Sequence, residues 1–229
     1  MFDGRFRLQV ERAVRPVGER LRRTKVTPDH LTVVGLLVAL AAAVSIALGA
    51  LQLGLLLVVL AALPDLFDGA LAKASNQASQ RGAFFDSTID RVTDALLLGG
   101  VAWYLADARG AHAAVLPFAV MAVSSLISYQ RAKAESLGLD AKGGLMERAE
   151  RIILLCVGLL FDWLLWWSMW LMLLLVAMTA VQRFVKVWRQ AAVAPATAAR
   201  LEERRARRAS RRATRAERRP RRARRRRVD

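Results

Sequence analysis

Between Leu31 and Val187 this 229-residue chain is built of long apolar runs broken by short polar links. Several runs reach or approach the roughly 20 residues needed to cross a bilayer core. In lipid the backbone must satisfy its own hydrogen bonds, which leaves helices or a closed barrel. The runs are continuous rather than alternating, which argues against a barrel. The expected fold is therefore an all-α membrane protein. Six transmembrane helices are expected near 30–49, 52–72, 83–106, 112–134, 149–164 and 166–187, preceded by an amphipathic juxtamembrane helix.

The links give the orientation. The first, around Gly49 to Gln52, is uncharged; the second, Lys73 to Arg81, is polar. The third holds Asp107, Arg109 and His112, and the fourth, Arg131 to Arg151, is long and charged. The fifth, around Asp162, lacks Lys and Arg and lies among Trp163, Trp166, Trp167 and Trp170, an interfacial aromatic belt. Basic residues concentrate in the even links and at both ends. The positive-inside rule then places both termini and the second and fourth links in the cytoplasm, in a multi-pass protein of the cell membrane.

Three segments follow. Residues 1–26 carry eight basic side chains, with Phe6, Val10, Ala13, Val14, Val17 and Leu21 at helical spacing. This reads as a basic amphipathic surface helix, divided near Pro16. Residues 27–190 form the six-helix domain, opened by Thr27-Pro28-Asp29, a helix-start pattern. Residues 191–229 are an Arg-rich tail, expected to be disordered and cytoplasmic. The formal net charge is +17, of which the last 30 residues contribute +12. The tail holds no aromatic residue for base stacking, which favours anionic lipid over nucleic acid as its partner. No cleavable signal peptide is expected, because the charged N-terminal region leads into a run long enough to span. Cys156 is the only cysteine and reads as packing.

Against this basic, apolar background, Asp65, Asp68, Asp86 and Asp90 stand out. Their spacings of three and four put each pair on one helical face, where two spans meet a cytoplasmic link. Carboxylates at membrane depth are costly and mark function. His30 and His112 lie on opposite sides of the membrane in this topology, so the donors are oxygen alone. That suits Mg²⁺, with Mn²⁺ or Ca²⁺ as alternatives, rather than zinc. Two such ions fit four acids, and paired metals serve displacement at phosphorus. Pairing with Lys73, Arg81 and Arg91 would neutralise three acids but would not require this spacing. Asp94, one turn further along the same face, either tunes the site or pairs with Arg91, and the pairing is the favoured reading.

The pattern Asp65-x2-Asp68-Gly69-x2-Ala72-Lys73-x8-Gly82-x3-Asp86-x3-Asp90 resembles the signature of the CDP-alcohol phosphotransferase family, with Lys73 where the family has Arg. The resemblance implies six transmembrane helices and transfer of a phosphatidyl or related group from a CDP-linked lipid to an alcohol, with release of CMP. It implies that Asp65, Asp68, Asp86 and Asp90 hold two metal ions and that Asp90 is the base. It implies that Asp29, Thr32, Gly69, Lys73 and Ser79 line the CDP-diacylglycerol site. Lys73 keeps the charge of Arg but not its planar fork.

A second constellation bears on the alcohol. Ser128, Arg131, Lys133, Arg148, Arg151 and Arg183 fall at the cytoplasmic ends of the last three spans. Arg183 has no acid in reach along its own helix. Arginines without matching acids invite an anion, and metals already serve the diphosphate, so the acceptor is expected to carry phosphate. Ordinary positive-inside residues are the plain alternative, which suits Arg131 and Lys133 but not Arg183. The stretch from Ser128 to Arg151, with segments near Thr27 and Arg183, is similar to the actinobacterial phosphatidylinositol phosphate synthases. This implies inositol 1-phosphate as acceptor, these six residues as its pocket, and a homodimer. Glycerol 3-phosphate is the nearest alternative acceptor. A cation channel or transporter is the more distant reading, against which the acids cluster at one end of the membrane.

Overall fold

The computed structural model describes residues 28–75, 80–141 and 143–192, and for 64–75 the helical backbone alone. Six α-helices form this region: α1 Pro28–Ala47, α2 Leu51–Ser75, α3 Gln80–Arg109, α4 Val115–Ser136, α5 Arg148–Leu159 and α6 Asp162–Ala191. A 3₁₀ turn, Ala111–Ala114, leads into α4. No strand occurs among the described residues, as expected of an all-α chain. The surface helix expected over 1–26, Thr27, Ser79 and the tail beyond Ala192 lie outside the described residues.

Among the described residues, three helices are long and apolar enough to cross a bilayer: Asp29–Ala47, Ala111–Ser136 and Asp162–Ala191. The apolar part of α2 is the shorter stretch Leu51–Leu63. α3 carries Asp86, Asp90, Arg91 and Asp94 in its first half. α5 has 12 residues and so reaches about 18 Å, less than the hydrocarbon thickness.

The end of α5 corrects the expected boundary at 164–166. The helix stops at Leu159, and Leu160 N–H turns back to the Val157 carbonyl at 3.3 Å. Phe161 is extended (φ −145°, ψ 140°), and Asp162 lies in the first turn of α6. A carboxylate there faces the positive end of the helix dipole. Asp162 thus starts a helix rather than centring a link. Apolar side chains run across the break, so hydropathy does not reveal it.

α1 packs on both α2 and α3, and α6 packs on both α4 and α5; α3–α4 and α2–α5 contacts join the two groups. Val101 and Leu105 of α3, Val120 of α4, Leu159 of α5 and Met169 of α6 are fully buried. Leu37, Trp103, Phe118 and Trp167 face outward, as lipid-facing side chains do. Small residues set the close crossings. A Cβ on Gly100 would meet the backbone carbonyl of Ala43, so α3 lies directly against α1 there. Gly49, at φ 81°, ends α1: its N–H bonds the Ile46 carbonyl at 2.9 Å and Ala50 N–H bonds Ser45 at 2.9 Å.

Short links make successive helices turn back on one another. The starts of α1, α3 and α5 and the ends of α2, α4 and α6 therefore gather at one end of the bundle. At the other end, Tyr104 Oη donates to Asp162 at 2.9 Å, and Arg109 lies 3.5 Å from the same carboxylate. The Arg109 guanidinium sits 5.4 Å from the Trp166 ring centroid. These contacts fasten α3 to the start of α6.

Candidate active site

The first half of α3 presents Asp86, Asp90 and Asp94 at every fourth residue, on one face. Asp86 is exposed and Asp90 half-buried. Asp65 and Asp68 lie three apart in the helical end of α2, and Gly69 and Lys73 follow in the same helix; their side chains are outside the described residues. Among the described residues, no three His, Cys, Asp or Glu side chains come together as a metal group. Asp86 and Asp90 still offer hard oxygen donors one turn apart. That donor set fits Mg²⁺ or Mn²⁺.

α5 faces this row with arginines. Glu147 and Glu150 form a capping box that starts the helix at Arg148. Arg148 and Arg151, one turn apart, then point at α3. Arg148 Nη1 lies 3.0 Å from Asp90, and its Nε lies 3.5 Å from Asp94. Arg151 Nη2 lies 2.7 Å from Asp94, with the two side chains 8% and 11% exposed. Arg91 approaches Asp90 at 3.6 Å.

This corrects two expectations. Arg148 and Arg151 do have matching acids, contributed by α3 rather than by their own helix. Asp94 pairs with them and not with Arg91. The Arg91 side chain is 38% exposed, whereas Arg151 is buried and gains more from a carboxylate.

Arg183 is also buried, and no acid lies within reach of it on its own helix, whose one carboxylate, Asp162, is in the first turn. Its Nη1 donates to the Ile127 carbonyl on α4 and its Nη2 to the Gly143 carbonyl, both at 3.0 Å. The charges of Glu147, Arg131, Arg151 and Glu135 act on it. Ser128 Oγ donates to the Ser124 carbonyl at 3.1 Å. Arg131 pairs with Glu135 at 3.0 Å on an exposed face, and Lys133 is exposed. Of the six expected acceptor residues, the structure buries Arg151 and Arg183, half-buries Arg148 and Ser128, and leaves Arg131 and Lys133 at the surface. Asp29 sits half-buried in the first turn of α1, and Thr32 is buried one turn further on.

Sequence reasoning favoured the wrong partner for Asp94 and missed Thr179, whose Oγ1 accepts the Met146 N–H at 3.0 Å. The signal for Asp94 is its place in the row of Asp86 and Asp90, while Arg148 and Arg151, three apart, also lie one turn from each other on one helical face.

Residues 25–198 match the family model for CDP-alcohol phosphatidyltransferase. The chain is 36% identical over 176 residues to phosphatidylinositol phosphate synthase of Mycobacteroides abscessus, covering 73% of this chain and 80% of the relative. It is 33% identical over 190 residues to archaetidylinositol phosphate synthase of Methanothermobacter thermautotrophicus, covering 81% and 93%. The crystal structure of Mycobacterium tuberculosis phosphatidylinositol phosphate synthase with CDP-DAG bound superposes with a TM-score of 0.72 at 32% identity, over 77% of this chain and 94% of that one. The same enzyme in complex with manganese and citrate gives 0.71 at 31%, over 76% and 88%.

Proposed function

The chain belongs to the CDP-alcohol phosphatidyltransferase family, and we propose that it transfers the phosphatidyl group of CDP-diacylglycerol to inositol 1-phosphate. Membership makes it an enzyme and sets the channel reading aside. The observation that carries the acceptor assignment is the pair Arg148 and Arg151 beside the aspartate row, with the buried Arg183 close enough to feel the charge of Arg151. Cations held there fit a phosphate on the incoming alcohol. The two relatives named above differ in their lipid part, and inositol phosphate is what their names share.

In the reaction the acceptor hydroxyl attacks the β-phosphorus, the one bonded to the lipid. The new O–P bond forms as the bond to CMP breaks. Asp90 takes the hydroxyl proton, at the end of α3 that faces Arg148. Asp65, Asp68, Asp86 and Asp90 would hold two Mg²⁺ or Mn²⁺ ions, which supply neutralising charge on the diphosphate. The manganese in a relative's structure supports a divalent ion. Asp29, Thr32, Gly69, Lys73 and Ser79 line the donor site. Ser128, Arg131, Lys133, Arg148, Arg151 and Arg183 receive the acceptor. Arg131 and Lys133 act from the rim.

The protein is read as a multi-pass membrane protein with α2, α3 and α5 completing six spans, and with both termini and the site in the cytoplasm. Residues 1–26 lie on the membrane surface, 27–190 form the catalytic domain, and 191–229 contact anionic lipid. A homodimer is the proposed assembly. The test supplies purified protein with CDP-diacylglycerol, Mg²⁺ and, in turn, inositol 1-phosphate, glycerol 3-phosphate and free inositol, and identifies the lipid made. Phosphatidylinositol phosphate should form. Product from glycerol 3-phosphate alone would overturn the acceptor assignment.

A further inference from the structure

Asp94 is a largely enclosed carboxylate, its side chain 11% exposed, to which the reaction above gives no part. It lies one turn beyond Asp90 on α3 and takes two guanidiniums of α5, Arg151 at 2.7 Å and Arg148 at 3.5 Å. Arg148 is shared: its Nη1 lies 3.0 Å from Asp90. Two carboxylates on one face of α3 thus divide a single arginine between them, and the deeper one also holds a second arginine. Past Asp94 the surroundings become apolar. Leu97, Leu98, Ile152, Leu155 and Met172 line the small cavity that Asp94 and Arg151 border. A guanidinium facing such a wall requires a carboxylate at hand.

We propose that Asp94 is the positioning residue of the acceptor site: it fixes Arg148 and Arg151 where an acceptor phosphate meets them, and it limits how fully Arg148 pairs with Asp90. This rests on the reading of the acceptor as a phosphorylated polyol. Arginine recognises phosphate through a planar fork, so its value depends on where the fork is held. Holding it before the ligand arrives lowers the ordering cost of binding. Without Asp94, Arg151 loses its carboxylate, and Arg148 is free to turn wholly onto Asp90, neutralising the proposed base. The damage should fall on the acceptor and on turnover, and spare the CDP-lipid.

The experiment compares full-length wild type, Asp94→Asn and Asp94→Glu, with KM measured for each substrate and inorganic phosphate used as a competitor of the acceptor. Asp94→Asn should raise the acceptor KM and the phosphate inhibition constant together by about tenfold, the scale of one lost charged contact. The KM for CDP-diacylglycerol should stay within about twofold of wild type. Asp94→Glu, which keeps the charge, should recover part of the loss, and it carries the test if Asp94→Asn does not fold. Equal rises in both KM values, no change in either, or a Glu variant no better than Asn would each overturn the proposal. If wild type makes no lipid from inositol 1-phosphate, the acceptor assignment fails by itself. The same phosphate competition then tests Asp94 against whichever phosphorylated acceptor wild type does use.

Discussion

Arg183 donates from Nη2 to the carbonyl of Gly143 at 3.0 Å, joining a buried position on α6 to the loop between α4 and α5. The loop is fastened to α6 at further points, Gln190 among them, which exchanges two hydrogen bonds with the Asp140 backbone. Thr179 Oγ1 accepts the Met146 N–H at 3.0 Å, and Lys186 Nζ lies 2.9 Å from the Asp140 carboxylate. Gly144, at φ 151°, passes so close to Thr179 that a Cβ would lie 2.6 Å from its methyl group. The start of α5, and with it Arg148 and Arg151, is therefore set by how this loop is held on α6.

Arg183→Ala should act through that loop as well as through lost charge. It removes the side-chain donor shared by the Ile127 and Gly143 carbonyls, at roughly 1 kcal/mol for each lost bond, since Ile127 lies inside α4 and Gly143 is open to solvent. The acceptor KM should rise by about tenfold or more while that for CDP-diacylglycerol moves less. Arg183→Lys keeps the charge but cannot reach both carbonyls with one ammonium, so it should recover little. Steady-state kinetics on both substrates decide it. A larger rise for the CDP-lipid would place Arg183 elsewhere.

Asp90→Asn separates proton transfer from binding. The amide keeps the size of the carboxylate but cannot accept the acceptor's proton. Turnover should fall by about 10²–10⁴-fold, the usual share of general base catalysis. Binding of CDP-diacylglycerol should be largely retained, as read by its protection against thermal unfolding. Near-normal turnover would remove Asp90 from the base role.

Gly100→Val tests the fold rather than the chemistry. The added side chain would collide with the Ala43 backbone carbonyl, which cannot move aside as a side chain could. Overpacking of this kind costs roughly 1–3 kcal/mol. The melting temperature in detergent should drop, and activity assayed well below it should persist. An unchanged melting curve would mean that α1 and α3 do not approach as described.

Much of this arrangement was legible in the sequence, and the misses have a common cause. Apolar runs and polar links located the helices, and the spacing of Asp86 and Asp90 correctly put them on one face of α3. Periodicity within a helix says nothing about its rotation against a neighbour. That rotation decides that Asp94 meets Arg151 on α5 rather than Arg91 on its own helix. Arg131 and Glu135, four apart on one exposed face, form the kind of pair that sequence does reveal. The break at Leu160 and Phe161 was blurred for another reason: it is a change in backbone direction within a nearly continuous apolar stretch that only Asp162 interrupts. The side chains of Asp65 and Asp68 lie outside the described residues, so their part in the site rests on spacing and family membership.

Asp162 and Asp94 make a matched contrast, since each receives an arginine from another helix. The Asp162–Arg109 pair is 3.5 Å apart, with side chains 51% and 36% exposed. The Asp94–Arg151 pair is 2.7 Å apart, with side chains 11% and 8% exposed. An exposed pair is screened by solvent and contributes about 0–1 kcal/mol. Removing one partner of a buried pair leaves an uncompensated charge and costs roughly 3–5 kcal/mol. Asp162→Asn should therefore shift the melting temperature only slightly and leave both KM values unchanged. It lies at the opposite end of the bundle from the aspartate row, and its Tyr104 bond can pass to the amide oxygen. Asp94→Asn should lower the melting temperature clearly further. Side-by-side thermal unfolding of the two variants checks the order, and a larger loss for Asp162→Asn would show that the clasp at the far end contributes more to the fold than the charged row at the site.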